Sequence, residues 1–184
     1  MPVVVSVLAK VKSAAAAAVP RFVKSNSGLV PITTLSNALS KTGFTISSSS
    51  FTVDSVANIF LPYINNKSWI PNVDSTVGAE CWVKISCPFS VRLHRFQISG
   101  IHTEGTKKRH TLTLTGSNGV KDSHNNEIEY TIFTTSEAMI NNTVSSFDIQ
   151  QNDPYSSYKL KLYSSEIARP GLSYMQLFPL EVVV

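Results

Sequence analysis

The sequence predicts an all-β protein: a jelly-roll β-sandwich behind an extended N-terminal arm. Three observations carry that expectation. From Val53 to Val184, short runs rich in Thr, Val, Ile, Phe and Tyr recur along the chain, a composition that suits a pleated, half-buried surface. Several of those runs alternate apolar and polar residues at period two. Turn-forming residues separate them, and no long stretch carries a helical period.

Cys81, Val83, Ile85 and Cys87 share one parity while Trp82, Lys84 and Ser86 share the other, the pattern of a half-buried strand. Pro88 is expected to close it, because proline cannot donate to a ladder. Val91 and Leu93 then keep one parity, whereas Phe96, Ile98 and Gly100 take the other. The phase slips at His94-Arg95, as a β-bulge would make it do. Leu112 and Leu114 alternate with Thr111, Thr113 and Thr115 before a turn at Gly116-Ser117-Asn118-Gly119. Further strands are expected at 130–134, 146–149, 158–163 and 172–178, with a turn at 150–155. Seven or eight short strands without helices make a sandwich or jelly roll.

Residues 1–52 read differently. They hold five basic residues (Lys10, Lys12, Arg21, Lys24, Lys41) and no carboxylate, whereas eleven basic and twelve acidic residues follow from Asp54 onward. The net charge of +4 over 184 residues therefore belongs to the arm. A short helix is expected across Ser13–Ala18, ended by Pro20, and one or two helical turns around Leu35, Ala38 and Leu39. Ser47–Ser50 reads as a linker. Apolar spots such as Val3-Val4-Val5, Leu29-Val30 and Ile32 without a core of their own leave two alternatives, an unordered tail or an anchor ordered by a partner.

Several function classes lose their footing on these grounds. The one basic cluster of the domain, Lys107-Lys108-Arg109, is expected in a loop, and a nucleic-acid interface would need a basic folded face. No apolar run approaches the ~20 residues of a membrane span. The N-terminus places its apolar patch before its lysines, the reverse of a secretory signal, and its acid-free Ala- and Ser-rich character shares features with a transit peptide. On one strand Cys81 and Cys87 would stand roughly 20 Å apart, beyond the ~7 Å reach of a disulfide. They read as buried free thiols, as in a reducing compartment or a particle assembled in one. No zinc-ligand spacing accompanies them. His94, His102, His110 and His124 stand outside any nucleophile or paired-carboxylate context, so they read as surface or packing residues and the protein as a non-enzyme.

Four stretches, in order, resemble the galactose-binding-domain-like fold of discoidin, coagulation-factor C-type and family 32 carbohydrate-binding modules. They are Asn65-Asn66-Lys67-Ser68-Trp69, the strand from Cys81-Trp82-Val83-Lys84-Ile85-Ser86 through Pro88-Phe89-Ser90-Val91 to Gly100, Arg109 to Asn118, and Tyr155 to Leu162 with a closing Gly171–Leu177 strand. The resemblance spans about 120 residues. It implies a glycan-binding module whose ligand sits in loops at one end of the sandwich. By position the binding candidates are His102, Glu104, Lys107 and Arg109 in one loop and Asn72 and Asp74 in another. Trp69 joins them as an aromatic platform, since aromatic faces suit sugar C–H groups. The family's early loop often lends a carboxylate to a structural calcium. Here Asn65, Asn66 and Lys67 replace it, and a lysine opposes a hard cation that wants oxygen ligands. No cofactor is expected, and backbone carbonyls are left as the one alternative source of ligands for a structural calcium.

Two functions follow as expectations. The first is a structural component of a virion (a phage tail, fibre or head–tail protein). Its residues 1–50 would anchor it to other virion proteins or to copies of itself in an oligomeric assembly, and its sandwich would dock on neighbouring subunits or host-surface glycans. The alternative is a carbohydrate-binding lectin module, extracellular if secreted.

Overall fold

The computed structural model describes residues 45–49, 59–60, 68–71, 80–101, 107–150, 153–166 and 170–183. The expected helical segments at 13–18 and 35–39 lie outside them. Among the described residues seven strands form: β1 Thr45–Ser48, β2 Cys81–Ile101, β3 Lys107–Ser117, β4 Tyr130–Ile140, β5 Ser145–Asp148, β6 Tyr155–Tyr163 and β7 Gly171–Val183. All pairings are antiparallel.

β2 organises the molecule because it serves two layers. Its first half pairs with β6 on one side and β1 on the other, in the order β1-β2-β6-β3-β4. Its second half pairs with β7 and β5 instead. The change comes between Ser86, opposite Ser157, and Val91, opposite Tyr155. The strand folds over there, as sandwich strands do at corners. Both ends of β2 consequently lie near the start of β3. Cys81 faces Leu162, whose other neighbour is Leu112, and Gly100 packs on Met139, the partner of Lys108.

The alternation read from the sequence holds: Cys81, Val83, Ile85 and Cys87 are buried, and Trp82, Lys84 and Ser86 are half-buried. Pro88, expected to end the strand, does not. It sits exposed within the corner, where the register jump leaves no ladder position for its missing N–H. The slip expected at His94-Arg95 is present. Leu93 faces Pro179 and Arg95 faces Phe178, so His94 has no β7 partner, and its carbonyl instead accepts the Ile149 N–H at 2.8 Å. Leu93 and Phe96 are both buried on either side of it, which is the parity change a bulge delivers.

The seryl run expected as a linker contributes structure. Thr45–Ser48 is the edge strand β1, Ile46 packs against the core, and the Ser49 hydroxyl accepts the Trp82 N–H at 3.2 Å. A short edge strand needs only one inward apolar residue, and a single Ile among serines is a weak periodic signal.

The core lies between the two layers. Phe96 of β2 meets Phe133 of β4 edge-on at 5.3 Å and stacks on Phe147 of β5 at 5.0 Å. One ring thereby joins the layers. Burial of such a side chain contributes roughly 3 kcal/mol, and each aromatic pair adds about 0.5–1.5 kcal/mol.

Candidate functional site

Two places on this framework present polar groups in a fixed geometry. The first is the end of the sandwich where β2 finishes and β3 begins. Arg109, on β3 opposite Ala138, is exposed. Its carbonyl accepts the Ser164 hydroxyl at 2.8 Å, and its N–H donates to Glu166 Oε2 at 3.4 Å. The backbone is held on both sides, so the guanidinium stem starts from a fixed point. Lys107 opens the same strand opposite Ile140, with its side chain outside the described residues. Lys107-Lys108-Arg109, expected in a loop, thus begin a strand.

Trp69 lies at this end too, but inside it. Its ring is fully buried, and its backbone exchanges bonds of 2.8 and 2.9 Å with Leu172. The indole belongs to the core and presents no open face to a sugar. Gly171 is required beside it, since a Cβ there would lie 2.7 Å from the Trp69 carbonyl oxygen. Asn72, Asp74, His102 and Glu104, together with the early loop residues Asn65, Asn66 and Lys67, lie outside the described residues.

The second place is the outer face of the five-stranded layer, at the opposite end of β3. After Ser117 the chain forms a small hairpin. The backbones of Lys121 and Glu127 form an antiparallel bridge, and the Ile128 N–H donates to the Val120 carbonyl at 2.8 Å. At its tip Asp122 Oδ1 accepts the N–H groups of His124 and Asn126 at 2.8 and 2.9 Å. Those bonds, the Asn126 N–H foremost, hold the Asp122 carboxyl below its ordinary value. Asn125 takes the left-handed backbone that the turn needs, at φ 66°, a conformation asparagine tolerates.

The returning arm of the hairpin drops two carboxylates onto the sheet. Glu127 pairs with Lys84 and accepts the Ser157 hydroxyl at 3.3 Å. Glu129 pairs with Lys159, lies 3.1 Å from Lys161, and accepts the Thr115 hydroxyl at 3.2 Å. Burial works to raise both carboxyls, but the Lys84 ammonium and seryl hydroxyls at Glu127, and the Lys159 and Lys161 ammoniums at Glu129, outweigh it, and both stay below the usual range. Lys159 also stands 5.1 Å above the centre of the Trp82 ring, within cation–π range. Between hairpin and sheet lies an open cavity of about 270 Å³, lined in part by Lys84, Ser86, Lys121, Glu127, Ser156 and Ser157.

Sequence reasoning missed this second place. Its signal was available: Lys84, Lys159 and Lys161 occupy outward parities of their strands, and Glu127 and Glu129 are spaced by two. The parities alone do not say which strands become neighbours.

Burial pushes the Cys81 thiol up to about 11, with Glu80 adding to the rise, and the Cys87 thiol up to about 12; both are buried. Thiols held in that state are poor nucleophiles. Among the described residues no group of three or more His, Cys, Asp or Glu side chains converges as a metal site would require.

Comparison with solved structures identifies the fold. The chain is similar to the family 32 carbohydrate-binding module of Clostridium perfringens NanJ, solved in complex with galactose, with a TM-score of 0.57 at 12% identity, over 73% of this chain and 93% of that one. It is similar to the module CpGH89CBM32-5 of Clostridium perfringens, solved with GalNAc-β-1,3-galactose, with a TM-score of 0.57 at 10% identity, over 73% and 94%. A chitosan-binding module of a chitosanase/glucanase from Paenibacillus sp. IK-5 matches with a TM-score of 0.53 at 12% identity, over 73% and 93%. The fold is therefore the galactose-binding-like β-sandwich of these modules, as the sequence resemblance implies. No protein-family model and no curated protein matches the sequence.

Proposed function

We propose that this chain is a non-catalytic glycan-binding module whose ligand sits at the end of the sandwich that carries Lys107 and Arg109. The observation that supports the reading most is the fold likeness over 93% and 94% of the length of two modules solved with galactose and with GalNAc-β-1,3-galactose. Fold alone does not assign a ligand; the exposed, backbone-anchored Arg109 adds a donor group of the kind that sugar hydroxyls accept. Asn72, Asp74, His102 and Glu104 complete the proposed site on the strength of the resemblance alone.

The virion reading rests on residues 1–50, on the two cysteines and on composition, and the fold lends it no support, so the glycan-binding alternative takes first place. A glycan array probed with the full chain and with Arg109→Ala tests it. Selective binding to a set of glycans is expected, weakened about tenfold or more in the variant, the worth of a hydrogen bond from a charged donor. Binding to no glycan on the array would overturn it.

A further inference from the structure

We infer that the cavity between the 118–129 hairpin and the outer sheet face is a second binding site, for a single acidic sugar ring of the hexuronate class. It lies at the opposite end of β3 from Arg109 and does not depend on the site proposed there.

The cavity is a built feature. Asn118 ties the base of the hairpin to β6, accepting the Ser156 N–H at 2.8 Å and donating to the Pro154 carbonyl at 3.3 Å. The Gly119 N–H donates to the Ser117 hydroxyl at 3.1 Å, and Glu127 pins the returning arm to Lys84. Both walls are thus fixed without a ligand, which lowers the ordering cost of binding one.

Size favours one ring. The volume of about 270 Å³ stands just below the ~300–1,000 Å³ span of small-molecule pockets, enough for a monosaccharide unit and too little for an enclosed chain.

Charge selects an acid. Lys84 and Lys121 face the cavity against one carboxylate, Glu127, so the lining carries a surplus positive charge. The Glu127 oxygens are engaged by Lys84 and Ser157. Each ammonium has three donors. Lys84 gives one to Glu127, and Lys121 gives one to Asn125 Oδ1 at 3.0 Å. A ligand carboxylate would collect charge-assisted bonds from the rest, about twice as strong as neutral ones. Ser86 and Ser156 supply hydroxyl groups for the ring. A neutral hexose would gain only the hydroxyl contacts, and a bare inorganic anion would leave the ring space in water.

The test follows amide chemical shifts of the full chain during titration with sodium glucuronate, glucose and inorganic phosphate. Glucuronate is expected to shift the amides of Lys84, Gly119, Lys121 and Ser156, with glucose about tenfold weaker or worse. Lys121→Glu, a surface change that leaves the sheet contacts intact, should weaken glucuronate binding about tenfold or more. Lys121→Gln should fall between, and Arg109→Ala should leave it unchanged. Absence of shifts at these amides, indifference to Lys121→Glu, or equal affinity for phosphate would overturn the assignment. Loss of array binding in Arg109→Ala bears only on the other site.

Discussion

Tyr158 of β6 donates its hydroxyl to the carbonyl of Val91 on β2, at the point where β2 leaves one layer for the other. Tyr158 is almost fully buried, and desolvation raises its phenol well above the ordinary tyrosine value. The bond satisfies a carbonyl at the corner, where the ladder is interrupted. Tyr158→Phe keeps the ring and removes only that donor. It should lower stability by about 1–3 kcal/mol, the cost of a buried acceptor left unsatisfied, as measured by urea denaturation. A change within a few tenths of a kcal/mol would show the corner does not need the bond.

Two glycines near the hairpin should respond differently to alanine. At Gly116 a Cβ would fall on the Tyr155 ring and 2.8 Å from Ile132 Cδ1. Tyr155 cannot retreat easily, being stacked on Tyr130 at 5.9 Å and edge-on to Tyr158 at 6.1 Å. Overpacking of this kind costs about 1–3 kcal/mol. Gly119 has open space around it but a φ of +74°, so Gly119→Ala should cost only the left-handed backbone, about 1 kcal/mol. Thermal denaturation of the two variants should rank Gly116→Ala as the less stable.

How much of this was legible in the sequence depends on which interaction each element answers to. Local parity revealed the buried face of Cys81 to Cys87 and the bulge at His94, because period two is a property of a strand by itself. The fate of Pro88 was not local. Whether it ends a strand or turns a corner is decided by the register of β6, over sixty residues away in sequence. β1 was missed for a similar reason, since four residues with one isoleucine form a strand only when β2 offers an edge. In the candidate site the strand that carries Arg109 was legible from its family-like block, whereas its place at the start of that strand and not in a loop depends on pairing with β4. The burial of Trp69 depends on its bridge to Leu172, and the Lys84–Glu127 contact depends on how a hairpin folds back over the sheet.

The two thiols give a reactivity test. With Cys81 raised to about 11 and Cys87 to about 12 from an ordinary 9.0, both should resist alkylation at pH 8 in the folded protein and react fully in denaturant. The folded state holds these protons more tightly than the unfolded one. Their contribution is therefore fully present below about pH 9 and is lost as pH rises toward 11 and 12. Denaturation midpoints should fall across that window, and Cys81→Ser or Cys87→Ser should change the slope.

At the acid side the sign reverses. Glu127 and Glu129 are held below their ordinary 4.5, so the folded state binds fewer protons. Their contribution is present above about pH 4.5 and is lost as pH falls through the lowered values. Glu129→Gln should flatten that part of the pH–stability curve, as read from urea midpoints between pH 3 and 6. An unchanged curve would mean that the Lys159 and Lys161 contacts contribute nothing in solution, as with many exposed ion pairs.

The central claim, that this sandwich holds a glycan at the Arg109 end, is tested most directly by an amide chemical-shift titration of the full chain with a galactoside. Saturable shifts are expected at Lys108 and Arg109 and at the neighbouring Ser164 to Glu166, lost in Arg109→Ala. Titration to high millimolar galactoside with no shifts at those amides, or with the same shifts in Arg109→Ala, would contradict it.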